Sequence, residues 1–216
     1  HPPHGSPAVP AALLIAGSGP TDRDGNNRLD PGPVDTLKTA ADWLSADGVA
    51  SLRYDKLGSG QTGVGPYAAR PGTIGIEPYE QEAAAAFGYL ARQPGVDRSR
   101  LAVFGHSEGA LFALLLATGA TGAAGPVPAV HAVGLLEPLS LRTLTLLGDQ
   151  VRGQVAAAQR AGRITPAAAA TFDAALAGAI QSLRTTGTTP LNLPPVLASV
   201  LNPSNALFLS QVDRYD

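Results

Sequence analysis

The sequence predicts an α/β fold in which a mostly parallel sheet is flanked by helices. Short apolar runs alternate with helical patterns as far as residue 136, which is typical of βαβ units. A Gly-x-Ser-x-Gly pentapeptide, residues 105–109, stands between one apolar run and the helical pattern that follows it. From about residue 139 onward only helical or irregular patterns are found, so we expect a helical segment added to the sheet.

The elements up to residue 136 are each indicated by a local pattern. A brief apolar run that ends at a glycine predicts a buried strand at 10–17. Apolar residues at helical spacing, ended by Gly48, predict the first helix, and early acidic residues and a closing Pro-Gly pair bound the second. The predicted order is strand 10–17, helix 34–48, strand 48–55, helix 76–95, strand 100–105, helix 108–119 and strand 128–136.

Composition excludes several classes of function. The 216 residues carry a net charge of −2, which gives no reason to expect nucleic acid or an acidic membrane surface as a partner. With no cysteine, the chain can form neither a disulfide nor a thiolate site. Its longest apolar runs are well short of the roughly 18 residues that a membrane span needs.

The first residues form a polar, proline-rich segment without the pattern of an intact signal peptide. Because the chain begins with His1 and not with methionine, we expect that a leader or earlier residues were removed, or that the chain is part of a longer product. Secretion or a cell-envelope location is compatible with such a processed chain. His1 and His4 could hold a metal loosely, although a mobile end is the favoured interpretation.

Ser107 lies at the centre of the pentapeptide and is predicted to be a nucleophile. The strand before it and the helix after it provide the turn that such a serine requires, and Gly105 and Gly109 leave room for the strand and helix to approach closely. The backbone N–H of Glu108 would then be one donor of an oxyanion hole. The alternative is that Ser107 is an ordinary N-cap of the helix.

Three sequence blocks, LLIAGSGPTDRDGN (13–26), LRYDKLGSG (52–60) and GHSEG (105–109), carry a resemblance to a known family. Their order and spacing resemble those of α/β-hydrolase-fold serine esterases, specifically a bacterial branch, from about residue 10 to the end. The resemblance implies that the backbone N–H of Ser18, next to Gly19, is the second oxyanion donor. The family usually has a histidine where this chain has Ala16, which makes the geometry of the loop less certain.

The resemblance also implies a domain organisation. Residues 1–138 would be the N-terminal part of the hydrolase core, 139–210 a helical cap, and 211–216 the start of the return to the core. The alternative for the second segment is an ordinary helical layer. In the family, further strands then carry the acid and the histidine of the catalytic triad, so we expect at least about 60 more residues after 216. The other interpretation is that the chain ends there and has no catalytic base.

Two further motifs are similar to known ligand-binding sites. The glycines of 58–63 fit a dinucleotide fingerprint, but no helix is predicted directly after them, as that site requires. Asp22 begins a stretch similar to a calcium loop, but Asn27 and Pro33 stand where such a loop needs glycine and glutamate. We therefore expect no cofactor and no metal. Asp22 and Arg23 are predicted to shape the oxyanion loop, and Asp55 to brace the neighbouring loop.

The only histidine after Ser107 is His131, which we expect at the amino end of a strand, at the wrong edge for catalysis. His106 is expected to point away from the serine. The predicted function is hydrolysis of small-molecule carboxylic esters with an apolar acyl part. Two alternatives stay open: a catalytically silent binding protein of the same fold, and a peptidase or thioesterase.

Overall fold

The computed structural model describes residues 7–28, 31–122 and 126–215. These residues divide into two compact units, one formed by residues up to Gly65 with Glu77–Leu139, and one formed by Pro66–Ile76 with the residues from Ser140 onward. The elements of the first unit are β1 (Val9–Ile15), α1 (Thr36–Ala46), β2 (Ala50–Arg53), α2 (Glu77–Ala91), β3 (Val96–His106), α3 (Glu108–Thr118) and β4 (Ala132–Leu136). Those of the second unit are 3₁₀ turns at Gly65–Tyr67 and Pro71–Thr73, and helices α4 (Thr143–Arg160), α5 (Pro166–Thr186), α6 (Pro195–Val200) and α7 (Ala206–Val212).

The first unit is built on a parallel sheet with the strand order β2-β1-β3-β4. The chain leaves β1 toward β2 on one side and returns to β3 on the other, so the strand order reverses between β1 and β3. Ile15 pairs with Gly105 at the carboxyl ends of these two strands. Open α/β sheets bind their ligands outside the carboxyl ends of the strands at such a switch point. The site is therefore expected where the loops after β1 and β3 meet.

Burial of β1 on both faces explains why helices flank the sheet. Ala12 and Leu14 pack against Leu37 and Ala41 of α1, and the alternation of the strand turns Leu13 to the opposite face. All three β1 side chains are fully buried. Helices α2 and α3 contact β1 and each other. The predicted α/β class, with a parallel sheet flanked by helices, is confirmed.

The largest differences from the predicted strand boundaries are at the starts of β3 and β4. β3 begins at Val96 and not at residue 100, because Val96 pairs with Val9 ahead of an irregularity in the register. β4 begins at Ala132 and not at residue 128. Pro128 has no backbone N–H to give to a ladder, and the N–H of His131 makes the first bond to β3, to the carbonyl of Leu101.

The second unit is helical and has a core of its own. Helix α5 begins at Thr165, whose side chain accepts a hydrogen bond from the N–H of Ala168, as expected for a helix start. The core is formed by side chains from all four helices, among them Leu144, Leu176, Leu183, Leu197 and Leu209. No helix within the described ranges is both long and apolar enough to cross a bilayer.

A buried carboxylate organises the end of this helical unit. Asp213 is 1% exposed and accepts hydrogen bonds from Arg142, from Arg184 and from the N–H of Leu144 at the start of α4. Nearby, the N–H of Ile76 donates to the side chain of Gln211. The sequence analysis placed residues 66–76 in the core and 211–216 at the return to it. In the structure, residues 66–76 and the described part of 211–216 both belong to the helical unit by their contacts, and Asp216 lies outside the described residues.

Replacement of Asp213 by alanine is expected to lower the free energy of unfolding of the helical unit by about 2–4 kcal/mol, since it leaves a buried N–H and two arginines without their acceptor. Urea unfolding followed by circular dichroism measures the effect. Asp149→Ala is the control, because its ion pair with Arg152 is solvent-exposed and is expected to be worth about 0.5 kcal/mol. Equal losses in the two variants would contradict this role of Asp213.

Candidate functional site

Ser107 occupies a sharp turn between β3 and α3. Its backbone angles are φ 52° and ψ −121°, a region that residues other than glycine seldom adopt. Its N–H donates to the carbonyl of Leu136 at the end of β4, and its own carbonyl accepts from Ala110. An N-cap serine has extended backbone angles and accepts a bond through its side chain, whereas Ser107 shows neither. Ser107 thus occupies the N-cap position of α3 without a side-chain capping bond, and the turn has the geometry of a nucleophile elbow.

Two glycines allow α3 to start directly against the sheet. A Cβ added to Gly105 would lie 2.2 Å from the carbonyl oxygen of Gly109. A Cβ added to Gly109 would lie 2.4 Å from the carbonyl oxygen of Ile15 in β1. Both distances are far below van der Waals contact, so no larger residue fits at either position without moving backbone. The pentapeptide pattern thus has a direct steric cause.

The loop after β1 lies against the elbow. A Cβ added to Gly17 would be 3.3 Å from the Cβ of Ser107, which puts the peptide between Gly17 and Ser18 beside the serine. The carbonyl of Ser18 accepts a hydrogen bond from Thr21, and Gly19 has a positive φ of 67° that turns the loop. The N–H of Glu108 lies in the first turn of α3, where helix amides have no intrahelical acceptor. The backbone N–H groups of Ser18 and Glu108 thus belong to segments that adjoin Ser107.

A buried ion pair lies directly behind this loop. The ammonium of Lys56, on the loop after β2, donates to the carbonyl of Gly17 and lies 3.5 Å from the carboxylate of Glu108. The side chains of Lys56 and Glu108 are 7% and 8% exposed. Burial lowers the pKa of Lys56 and raises the pKa of Glu108, and the opposite charge of each partner counteracts both shifts. The sequence analysis assigned Glu108 only a backbone role and missed this pair.

Asp55 binds the neighbouring loops together. Its carboxylate accepts from the backbone N–H and the guanidinium of Arg23 and from the N–H of Gln61. Hydrogen bonds from the Arg23 guanidinium lower the pKa of Asp55 to about 2, although burial opposes the shift. A Cβ on Gly60 would lie 2.2 Å from the Asp55 carboxyl carbon, so that glycine makes room for the carboxylate.

The two regions considered as ligand sites have other roles in the structure. Asp22 accepts bonds from the N–H groups of Asp24 and Asn26, so its Oδ1 is directed into its own loop. Residues 58–63 form turns and a 3₁₀ turn follows them, so no helix N-terminus is presented to a pyrophosphate. Among the described residues no group of three or more side chains suited to hold a metal is found, and His1 and His4 lie outside them.

Neither described histidine is placed to accept a proton from Ser107. His131 pairs beside Leu101, six residues before Ser107 on β3, which corresponds to about 20 Å along a strand. The Nε2 of His106 lies 3.6 Å from the carboxylate of Glu137, and its Nδ1 is buried without a hydrogen-bond partner within the described part of the chain. Glu137 follows β4 at the carboxyl edge of the sheet and its side chain is 89% exposed.

The chain is similar to solved structures but matches no family model or curated protein. Among solved structures, the chain is similar to an α/β hydrolase, GrgF, from Penicillium sp. sh18, with 22% identity and a TM-score of 0.47. The match covers 73% of this chain and 47% of the other, so the chain spans about half the length of that protein. The parallel sheet with an elbow at its switch point is, by its own geometry, the arrangement of the α/β-hydrolase fold.

Gly105→Ala is expected to lower the free energy of unfolding by about 3 kcal/mol or to prevent folding, because its Cβ would overlap the backbone of α3. The control is Gly153→Ala in α4, where an added Cβ meets nothing within 4 Å. This change is expected to stabilise the protein by about 0.5–1 kcal/mol. Thermal unfolding of the two variants measures the contrast, and an unchanged melting temperature in Gly105→Ala would contradict the steric argument.

Asp55→Asn is expected to make the protein less stable at neutral pH by about 1–2 kcal/mol. The folded-state pKa of about 2 is below the ordinary value of 3.8, so the ionised carboxylate stabilises the fold above about pH 4. That contribution is lost as the pH falls toward 2, and the difference between variant and wild type should vanish there. Urea unfolding between pH 2 and 7 tests this, and a difference that stays constant with pH would contradict it.

Proposed function

We propose that the protein is a serine hydrolase that cleaves carboxylic esters through an acyl-enzyme on Ser107. The observation that supports this most is the elbow itself, a strained non-glycine residue at the switch point of a parallel sheet. Strain of this kind costs roughly 1–3 kcal/mol and occurs mainly at functional sites. Since the side chain of Ser107 makes no capping bond to α3, catalysis gives the strained serine a role that side-chain capping does not.

In the proposed reaction, the Oγ of Ser107 attacks the acyl carbon and its proton passes to a base. The backbone N–H groups of Ser18 and Glu108 would stabilise the negative charge that develops on the carbonyl oxygen. The ester C–O bond then breaks, and the alcohol leaves with the proton from the base. Water attacks the acyl-enzyme in the same way, which releases the carboxylic acid and restores the serine.

The base and the acid that orients it are proposed to come from residues beyond residue 216. This part of the proposal is supported by the positions of His131, at the amino end of β4, and His106, which is paired with Glu137. Asp213 is held by two arginines in the helical unit, a structural role. The same observations favour one second candidate, a catalytically silent binding protein of this fold, since a serine without a base is a poor nucleophile.

Ser107→Ala in the natural full-length protein is expected to reduce the hydrolysis of p-nitrophenyl esters by about 10⁴-fold or more. A fluorophosphonate probe should add to the wild type at Ser107 alone, as measured by intact mass and peptide mapping. Ser45→Ala, an exposed serine in α1, is the control and should retain full activity.

Three outcomes separate the candidates. Ester turnover without cleavage of aminoacyl anilides supports the esterase, whereas anilide cleavage indicates a peptidase. A full-length protein that neither turns over esters nor takes up the probe would overturn the proposal and leave the silent binding protein as the explanation.

A further inference from the structure

Lys56 is buried at a place where a lysine has no obvious structural need. Its ammonium touches the carbonyl of Gly17 and the carboxylate of Glu108, and both belong to segments that adjoin Ser107. The other lysine of the chain, Lys38, forms an exposed ion pair with Asp35. Lys56 is different because both of its partners lie on the segments that supply the oxyanion donors.

The bond from Lys56 to the carbonyl of Gly17 also fixes the direction of the next N–H, because both groups belong to one planar peptide. In a planar trans peptide, the carbonyl and the N–H point in opposite directions. The carbonyl of Gly17 and the N–H of Ser18 belong to one peptide. A bond from Lys56 to the Gly17 carbonyl therefore turns the Ser18 N–H away from Lys56 and resists a flip of that peptide.

We propose that Lys56 is a positioning residue of the oxyanion hole, which fixes the Gly17–Ser18 peptide plane and is itself anchored by the side chain of Glu108. The inference rests on the proposed hydrolase function. This arrangement couples the two proposed donors. The N–H of Glu108 is one donor, and the side chain of Glu108 holds Lys56, which orients the other donor, the N–H of Ser18. A flipped peptide would present a carbonyl oxygen to the oxyanion and repel it.

The energetics of the pair argue against a purely stabilising role. Burial raises the pKa of Glu108 and lowers that of Lys56, so both charged forms are disfavoured at this place in the fold. Buried ion pairs of this kind are often no better for stability than apolar side chains of similar volume. A role in catalysis explains why the charges are there.

The backbone that carries Lys56 is also held in place. The N–H of Leu57 donates to the carboxylate of Glu82 in α2, and the carbonyl of Lys56 accepts from both the N–H and the hydroxyl of Ser59. Ser59 is 2% exposed. The ammonium therefore extends from a fixed point, which a positioning residue requires.

The test uses Lys56→Met in the natural full-length protein, with Lys38→Met as the control. The Met side chain keeps the volume of lysine but cannot donate to the Gly17 carbonyl. We expect kcat to fall roughly 10- to 100-fold with little change in KM, since an oxyanion donor acts in the transition state. Lys38→Met, which breaks an exposed pair, should retain the wild-type kcat and KM.

A double variant separates positioning from stability. Lys56→Met alone leaves Glu108 buried without a partner and is expected to lower the melting temperature. Lys56→Met with Glu108→Leu removes both charges and should restore the melting temperature, while kcat stays as low as in the single variant. If kcat recovers together with the melting temperature, Lys56 is only structural and the inference is overturned.

The activity of the wild type separates failure of the proposed function from failure of the role of Lys56. If the full-length wild type neither hydrolyses esters nor labels at Ser107, the proposed function and this inference fall together. If the wild type is active and Lys56→Met has the wild-type kcat, this inference alone is wrong and the proposed function stands.

Discussion

The site depends on one steric constraint, the direct contact of the α3 backbone with the sheet. Gly109 lies so close to the carbonyl of Ile15, and Gly105 so close to Gly109, that neither position has space for a Cβ. Because α3 starts this close to the strands, the residue between β3 and α3 must reverse direction within one peptide. Ser107 takes up that reversal in its positive φ, and the bond from its N–H to Leu136 keeps it there.

Buried charged groups have different roles in the two units. The sheet is stabilised by residues 11–15 of β1, which are buried under helices on both faces. This core can tolerate a strained serine and two buried charges at its edge. In the helical unit, the buried Asp213 is met by two partly exposed arginines and by a backbone N–H. In this unit, each hydrogen bond to the carboxylate of Asp213 has a structural explanation. The charges near Ser107 have no comparable structural role, and the proposed positioning of the Gly17–Ser18 peptide accounts for them.

Local patterns predicted the class of the fold and the elbow, because strand runs, helix starts and glycine spacing act over a few residues. The first residue of β4 was placed too early, since an apolar run does not show that Pro128 cannot join a ladder. The Lys56–Glu108 pair was missed because its members are far apart in the sequence. A signal was present, however: Glu108 opens a helix that is otherwise apolar, and a carboxylate buried on such a helix needs a partner.

A site that acts through backbone N–H groups constrains the sequence only indirectly. The side chains of the donor residues can vary, because the donors are backbone groups. Ala16 therefore removes no proposed donor, although the family that the sequence resembles usually has a histidine at this position. What must be specified is the orientation of each peptide plane. That orientation depends on the two positions where a Cβ does not fit, 105 and 109, on the tight contact at Gly17, and on side chains that donate to a carbonyl from behind. The chemistry proposed for this site would therefore depend on its supporting residues more than on the side chains of its donors. Lys56 is the supporting residue whose removal is expected to leave the proposed donors in place but free to turn.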